Sequence, residues 1–188
     1  LYTWRADGRG RRSAQTVIHH HLQTLERLLA PILVFTSEEA FLADSGEQDS
    51  PTDSIHLEDW PGVPDNWRFP ETAAEIDQLL ALRDRVNEQL EDLRASKRIG
   101  KSVEAALELA ADPASPRYAL LEKYASQLAE VFIVSKVTIL SNPGASDLEV
   151  RVDVADGERC PRRWRAVEDL LPTSMGSVCP RCADAIDP

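Results

Sequence analysis

Apolar residues recur at helical spacing from Arg12 to Ala30, at Ala14, Val17, Ile18, Leu22, Leu25, Leu28 and Leu29, and Pro31 then interrupts the pattern. One amphipathic helix is expected there. In the following "ILVFTSEEAFLA", Thr36 or Ser37 can cap a second helix with Glu38 and Glu39 in its first turn, where the helix dipole favours negative charge. Residues 44–54, "DSGEQDSPTDS", hold no side chain suited to a core and read as a mobile loop. "IHLEDWPGVPDNWRFP" sets three Pro and two Trp in irregular order, which predicts an extended segment packed on the helices.

The longest helical pattern runs from Glu71 to about Arg98, with Ile76, Leu79, Leu80, Leu82, Val86, Leu90 and Leu93 on its apolar face. Gly100 suits its C-terminal cap, and Lys97, Arg98 and Lys101 fall near the negative end of its dipole. "SVEAALELAA" then reads as a short strand and "SPRYALLEKYASQLAEVF" as a helix opened by Ser115 and Pro116. "IVSKVTIL" and the strictly alternating "LEVRVDVA" read as two further strands, the last half-buried. The fold class that follows is mainly α, with a small α+β module and a cysteine-bearing tail. Three parts are expected: a helical bundle over 1–70, a long helix and α+β junction over 71–156, and the tail over 157–188.

At 188 residues and 43% apolar composition the chain can bury one ordinary core and a small appendage. No apolar run is long enough to span a bilayer and no signal-peptide pattern opens the chain, so no membrane partner and a cytoplasmic location are expected. The only Met is Met175, and the chain opens inside an already patterned segment; it reads as a piece of a longer protein. A net charge of −11 argues against a globally basic nucleic-acid binder, and no DNA partner is expected. Three stretches escape the acidic background: "RADGRGRR", "RASKRIGKS" and "RCPRRWR". An acidic body with local basic patches suits limited contact with nucleic acid, and each patch can equally be a solvated surface.

Most motifs dissolve on inspection. "RIGKS" lacks the first Gly of a phosphate loop, where Ala95 stands, and follows a helix instead of a strand. His19, His20 and His21 fan out around a helix by about 100° each and cannot converge on one ion. No nucleophile elbow is present. The cysteines differ: Cys160, Arg163, Cys179 and Cys182 fall in a C-x₂-R-x₁₅-C-x₂-C frame, that of a four-cysteine zinc ribbon with one corner replaced. Thiolates suit borderline-soft zinc, whereas the always-protonated Arg163 repels a cation. Either a fourth donor such as Glu158, Glu168 or water completes the site, or a degenerate knuckle is held by packing; the missing thiolate favours lost or weak zinc.

Taken in order, the pieces resemble the C-terminal region of bacterial-type isoleucyl-tRNA synthetases. "LYTWRADGRGRRSAQT" with "LAPILVFTSEEAF" is similar to the family's anticodon-binding helical bundle and "IHLEDWP" to its connecting segment. "RVNEQLEDLRASKRIGKSVEA" is similar to the long helix and turn before its small α/β module, and "CPRRW" with "CPRC" stands where the family has a paired CxxC zinc knuckle. The resemblance covers essentially the whole chain. It implies a parent enzyme that joins isoleucine to its tRNA with ATP and Mg, whose catalytic and editing domains are absent from this stretch. No catalytic residue is expected here, and no cofactor beyond the lost or weak zinc.

The expected task is to hold the anticodon stem-loop of isoleucine tRNA, with the chain acting as a monomer. Arg94, Lys97, Arg98, Lys101, Arg162, Arg163 and Arg165 would meet phosphate, and Trp164 or Trp4 would stack a base. Two rivals stay open: a non-catalytic protein-interaction scaffold, and a free-standing degenerate paralogue of the synthetase.

Overall fold

The computed structural model describes residues 2–46 and 54–187. The chain divides into two compact units, Leu1–Arg68 and Phe69–Pro188. The architecture is mainly α with a small α+β part.

In the first unit, helix α1 spans Arg9–Leu29 and helix α2 spans Val34–Ser45. Helix α1 starts earlier than its apolar stripe because its first turn packs under an aromatic ring. A Cβ on Gly10 would lie 2.1 Å from Trp4 Cζ3, so only glycine lets the ring settle there. The expected cap of α2 is corrected. The helix begins at Val34, Leu33 occupies the cap without a side-chain bond, and Ser37 is buried inside the first turns. The Glu38 carboxylate instead reaches forward to accept from Ser54 Oγ at 2.9 Å and Ile55 N–H at 3.0 Å.

The loop expected at 44–54 is corrected at both of its ends. Asp44 and Ser45 continue α2, Gly46 closes it at φ 72°, and Ser54 caps a 3-10 turn over Ile55–Leu57; residues 47–53 lie outside the described residues. The Pro-rich segment is likewise corrected, since it holds a second 3-10 turn at Asp65–Trp67 as well as extended chain. Of its two Trp, Trp60 stays exposed and Trp67 sets its ring edge against His20 at 4.4 Å.

The apolar stripe of α1 is only partly covered, with Val17, Ile18 and Leu25 exposed while Glu26 is buried. The carboxylate atom Oε1 of Glu26 is buried with no hydrogen-bond partner among the described residues. Burial first and the nearby Asp44 second raise its pKa above the ordinary 4.5, against Arg27 and His19.

The second unit is built on helix α3, Pro70–Ala95, whose Leu79, Leu82, Val86, Leu90 and Leu93 are buried at three- and four-residue spacing. Strands β1, Ala105–Ala111, β2, Lys136–Ser141, and β3, Glu149–Val154, form one sheet in the order β2-β1-β3. Strand β1 runs parallel to β2 and antiparallel to β3. Ala105, Leu107, Leu109 and Ala111 bury one face of β1 into the core shared with α3, and each fully buried leucine is worth about 1.5–3 kcal/mol.

The helix expected between β1 and β2 is two helices, α4 at Pro116–Lys123 and α5 at Ala125–Phe132. Tyr124, at φ −105° and ψ 10°, bends the chain between them and donates its hydroxyl to Glu75 at 2.7 Å. Ser115 caps α4 by accepting from Tyr118 N–H at 3.1 Å, as the sequence indicated.

The end of α3 is also corrected. Ser96 is its cap, and Lys97 takes the left-handed conformation at φ 57°, so Gly100 is not the closing residue. Lys97 N–H donates to Arg94 O at 2.9 Å and Arg98 N–H to Leu93 O at 3.0 Å, the paired bonds of a Schellman closure. Ile99 is thereby turned into the core.

Two outcomes follow. Lys97→Gly should raise stability by about 0.5–1 kcal/mol in chemical denaturation, because glycine carries no Cβ penalty at positive φ. A carboxyl with a raised folded pKa binds protons more readily folded than unfolded, so stability falls as pH rises from 4.5 through the folded value. Glu26→Gln should therefore raise the melting temperature at pH 7, with a gain that shrinks on acidification toward pH 4.5.

Candidate nucleic-acid interface and thiol cluster

The tail is assembled from two hairpins and a helix. Strands β4, Glu158–Arg159, and β5, Ala166–Val167, pair antiparallel around a loop at 160–165. Gly157 enters at φ 110°, and a Cβ there would stand 2.3 Å from Val167 O, so no other residue fits. Strands β6, Leu171–Thr173, and β7, Gly176–Val178, form the second hairpin and lead into helix α6, Pro180–Ile186. Cys179 is the cap of α6 and Pro180 its first residue. Cys160, Val178, Cys179 and Cys182 form a small core of their own, flanked by Val167, Leu170, Ala183 and Ile186.

The three cysteine sulfurs lie within 4.8 Å of one another, and the residues are 0–2% exposed. Cys179 N–H donates to Cys160 Sγ at 3.4 Å. Burial pushes the Cys160 thiol up, but the N–H groups of Cys179, Arg163 and Arg162 and the Cys179 thiol outweigh it and bring it down to about 7. Burial and the neighbouring sulfurs push Cys182 up to about 12. This is a donor set able to hold a thiophilic ion such as zinc at three corners. Among the described residues no carboxylate or imidazole joins it. Glu158 is exposed, and Glu168 is bound to Lys136 Nζ at 2.6 Å, so neither expected fourth donor stands in the cluster. A closed four-ligand site does not fit these side chains.

Arg163, at the fourth corner of the frame, points elsewhere. Its guanidinium is 15% exposed and meets Glu130 Oε1 at 3.2 Å on α5. Arg181 reaches the same oxygen at 2.7 Å and Arg165 reaches it at 3.5 Å, while Arg165 also donates to Ala129 O at 3.0 Å. Burial lowers the pKa of Arg165, Glu130 opposes the shift, and the guanidiniums of Arg163 and Arg181 add to it. Arg163 and Arg165 thus fasten the tail to α5.

The outer side of the loop is different. Trp164 adopts φ 64° and donates its N–H to Cys160 O at 2.7 Å, leaving its side chain 55% exposed. Lys101 Nζ lies 5.1 Å and Arg159 Cζ 5.9 Å from the ring centroid, so cations from two distant stretches of sequence meet on one indole. The turn bearing Lys101 is held by Glu104, whose carboxylate accepts from Gly100 N–H at 2.7 Å and Lys101 N–H at 3.2 Å. Those two bonds hold its pKa below the usual carboxylate range.

The remaining basic residues are dispersed. Lys97 and Arg162 are exposed, Arg98 pairs with Asp153 at 2.6 Å, and Arg94 bonds Glu91 and Ser102. Trp4 rests on Gly10 in the first unit. Arg159 was missed as a site residue. It sits in the same basic stretch, but only the pairing of β4 with β5 reveals that it faces the indole side of the loop.

Supplying a fourth thiol should close the metal site. Arg163→Cys should retain about one zinc per chain after dialysis against a mild chelator, where the parent retains little, because four thiolates complete tetrahedral coordination. Metal analysis of both proteins checks it.

The geometry can be set beside known proteins. Residues 2–109 match the family model described as the anticodon-binding domain of tRNA ligase. An isoleucine–tRNA ligase of Fervidobacterium nodosum is 39% identical over 97% of this chain and 20% of its own length. Those of Geobacter sulfurreducens and Moorella thermoacetica are 34% and 36% identical, over 98% and 99% of this chain and 20% and 21% of their own lengths. The chain spans about a fifth of the length of the curated relatives it matches. Among the described residues no helix is long and apolar enough to cross a membrane. The chain belongs to the family of anticodon-binding domains of tRNA ligases and is homologous over nearly its whole length to isoleucine–tRNA ligases.

Proposed function

We propose that this chain binds the anticodon stem-loop of isoleucine tRNA, as part of a cytoplasmic enzyme that joins isoleucine to that tRNA with ATP. The observation that carries the reading is the exposed Trp164 flanked by Lys101 and Arg159. An indole face stacks an unpaired base whatever its identity, and the flanking cations neutralise the phosphates on either side of it. The backbone of Trp164 supports the same assignment. Left-handed φ costs a bulky residue about 1–2 kcal/mol, and such a cost at an exposed position points to use outside the fold.

Lys97, Arg98 and Arg162 extend the patch toward phosphate. Arg98 can exchange its exposed pairing with Asp153 for phosphate at little cost, since surface ion pairs are worth about 0–1 kcal/mol. Arg94, Arg163 and Arg165 act chiefly by shaping the surface, each through an internal partner. Residues 1–70 serve as part of the anticodon-binding bundle, 71–156 as the junction, and 157–188 as the tail that presents the indole. Zinc is absent from the tail or weakly held, and the protein works as a monomer. ATP chemistry belongs to the parent's catalytic domain.

A labelled isoleucine anticodon stem-loop, titrated beside an unrelated one at two salt concentrations, tests the reading. Trp164→Ala should weaken binding about 5- to 150-fold, the range expected for losing one stacked base. Lys101→Ala with Arg159→Ala should lower the salt slope by about 0.7–0.9 for each phosphate that is no longer neutralised. Trp164→Gly separates use from structure: it should melt higher than the parent yet bind RNA as poorly as the alanine variant. Equal, salt-insensitive binding of both RNAs would instead leave the chain a protein-interaction scaffold.

A further inference from the structure

We propose that the thiol cluster of the tail is a three-coordinate site for trivalent thiophilic ions, exemplified by arsenic(III), in preference to tetrahedral zinc. The inference goes beyond RNA binding and does not depend on it. Its first support is the arrangement of donors. Cys160 at the end of β4, Cys179 at the cap of α6 and Cys182 in the first turn of α6 bring three sulfurs within 4.8 Å of one another in a buried pocket.

The second support is the fate of the fourth corner. Arg163 carries no lone pair, and its guanidinium is drawn out to Glu130, where Arg165 and Arg181 converge as well. The main chain beside Arg163 stays at the cluster, because the N–H of the next residue, Trp164, donates to Cys160 O at 2.7 Å. The frame of a four-thiol knuckle is therefore intact, while the side chain at its fourth position has been redirected into an ion-pair cluster. Among the described residues no carboxylate or imidazole replaces it.

Charge and coordination number then select the ion. Zinc with three thiolates carries one net negative charge and still requires a fourth ligand, and a buried unpaired charge is costly. The nearby guanidinium of Arg165 is already engaged by Glu130 and Ala129 O. Trivalent arsenic is satisfied by three sulfurs, its lone pair occupying the remaining direction, and the product is neutral. Soft thiolates favour soft ions over harder ones. The step is an exchange without redox change. Arsenous acid, As(OH)₃, reacts with three thiols, three As–O bonds break and three As–S bonds form, and each thiol proton leaves with a hydroxide as water.

The 188-residue chain, reduced with a phosphine instead of a competing dithiol, is titrated with sodium arsenite and in parallel with zinc chloride. The near-ultraviolet thiolate-to-arsenic absorption should saturate at one arsenic per chain. X-ray absorption should then show three sulfurs and no oxygen around it, and a tenfold excess of zinc should displace less than a tenth of it. Arg163→Cys should reverse the preference, retaining zinc in a four-sulfur shell. Two sulfurs and an oxygen around arsenic in the parent, or displacement of arsenic by equimolar zinc, would overturn the proposal. Because those measurements use the parent alone, they decide the matter even where the variant fails to fold.

Discussion

Ser135 holds the second unit in register. Its main-chain N–H donates to Ala105 O at 2.9 Å, its hydroxyl donates to Val103 O, and the hydroxyl oxygen accepts from Ala166 N–H at 2.7 Å. One residue at the entry to β2 therefore binds the start of β1, the turn before it and strand β5 of the tail. Without that junction the tail would be tethered to the sheet mainly by long side chains. With it, the loop carrying Trp164 is placed beside the turn carrying Lys101, and one cation from each basic stretch of the second unit meets at the indole.

A second fastening comes from charge. Glu130 sits on α5, the helix that packs against β2, and collects Arg163, Arg165 and Arg181 from the tail. Three guanidiniums on one carboxylate leave local positive charge uncompensated. The same cluster withdraws the side chain that stands in the fourth metal position.

Among the described residues three that are not glycine hold left-handed backbone: Ile133, which closes α5, and Lys97 and Trp164 in the basic stretches. Lys97 and Trp164 both hold left-handed backbone that glycine would adopt more easily. Lys97 is compensated by the Schellman bonds and the burial of Ile99. Trp164 is compensated by its N–H bond to the carbonyl of Cys160, a buried member of the sulfur-centred core. One main-chain bond to that core thus anchors an exposed aromatic residue in a conformation its own preferences disfavour.

The periodicity of apolar residues was enough to locate α1, α3 and the three strands of the sheet, because burying one face imposes a visible period on the chain. The cysteine frame and its missing corner were equally visible, since spacing along the chain survives folding unchanged. Boundaries were not legible where a longer-range interaction overrode a local preference. Glu38 was taken by Ser54 and Ile55, so it could not join a capping arrangement, and Lys97 took the turn that Gly100 suited because Ile99 had to reach the core. The site was half legible. The residue types of both basic stretches and Trp164 suited RNA contact as well as solvated surface, but only pairing of β4 with β5 and the Ser135 junction decided that Arg159 and Lys101 share one indole. Only the position of α5 decided that Arg163 and Arg165 serve the fold. Composition and spacing are properties of the chain, whereas which charge meets which partner depends on through-space distances that exist once the sheet and tail have packed.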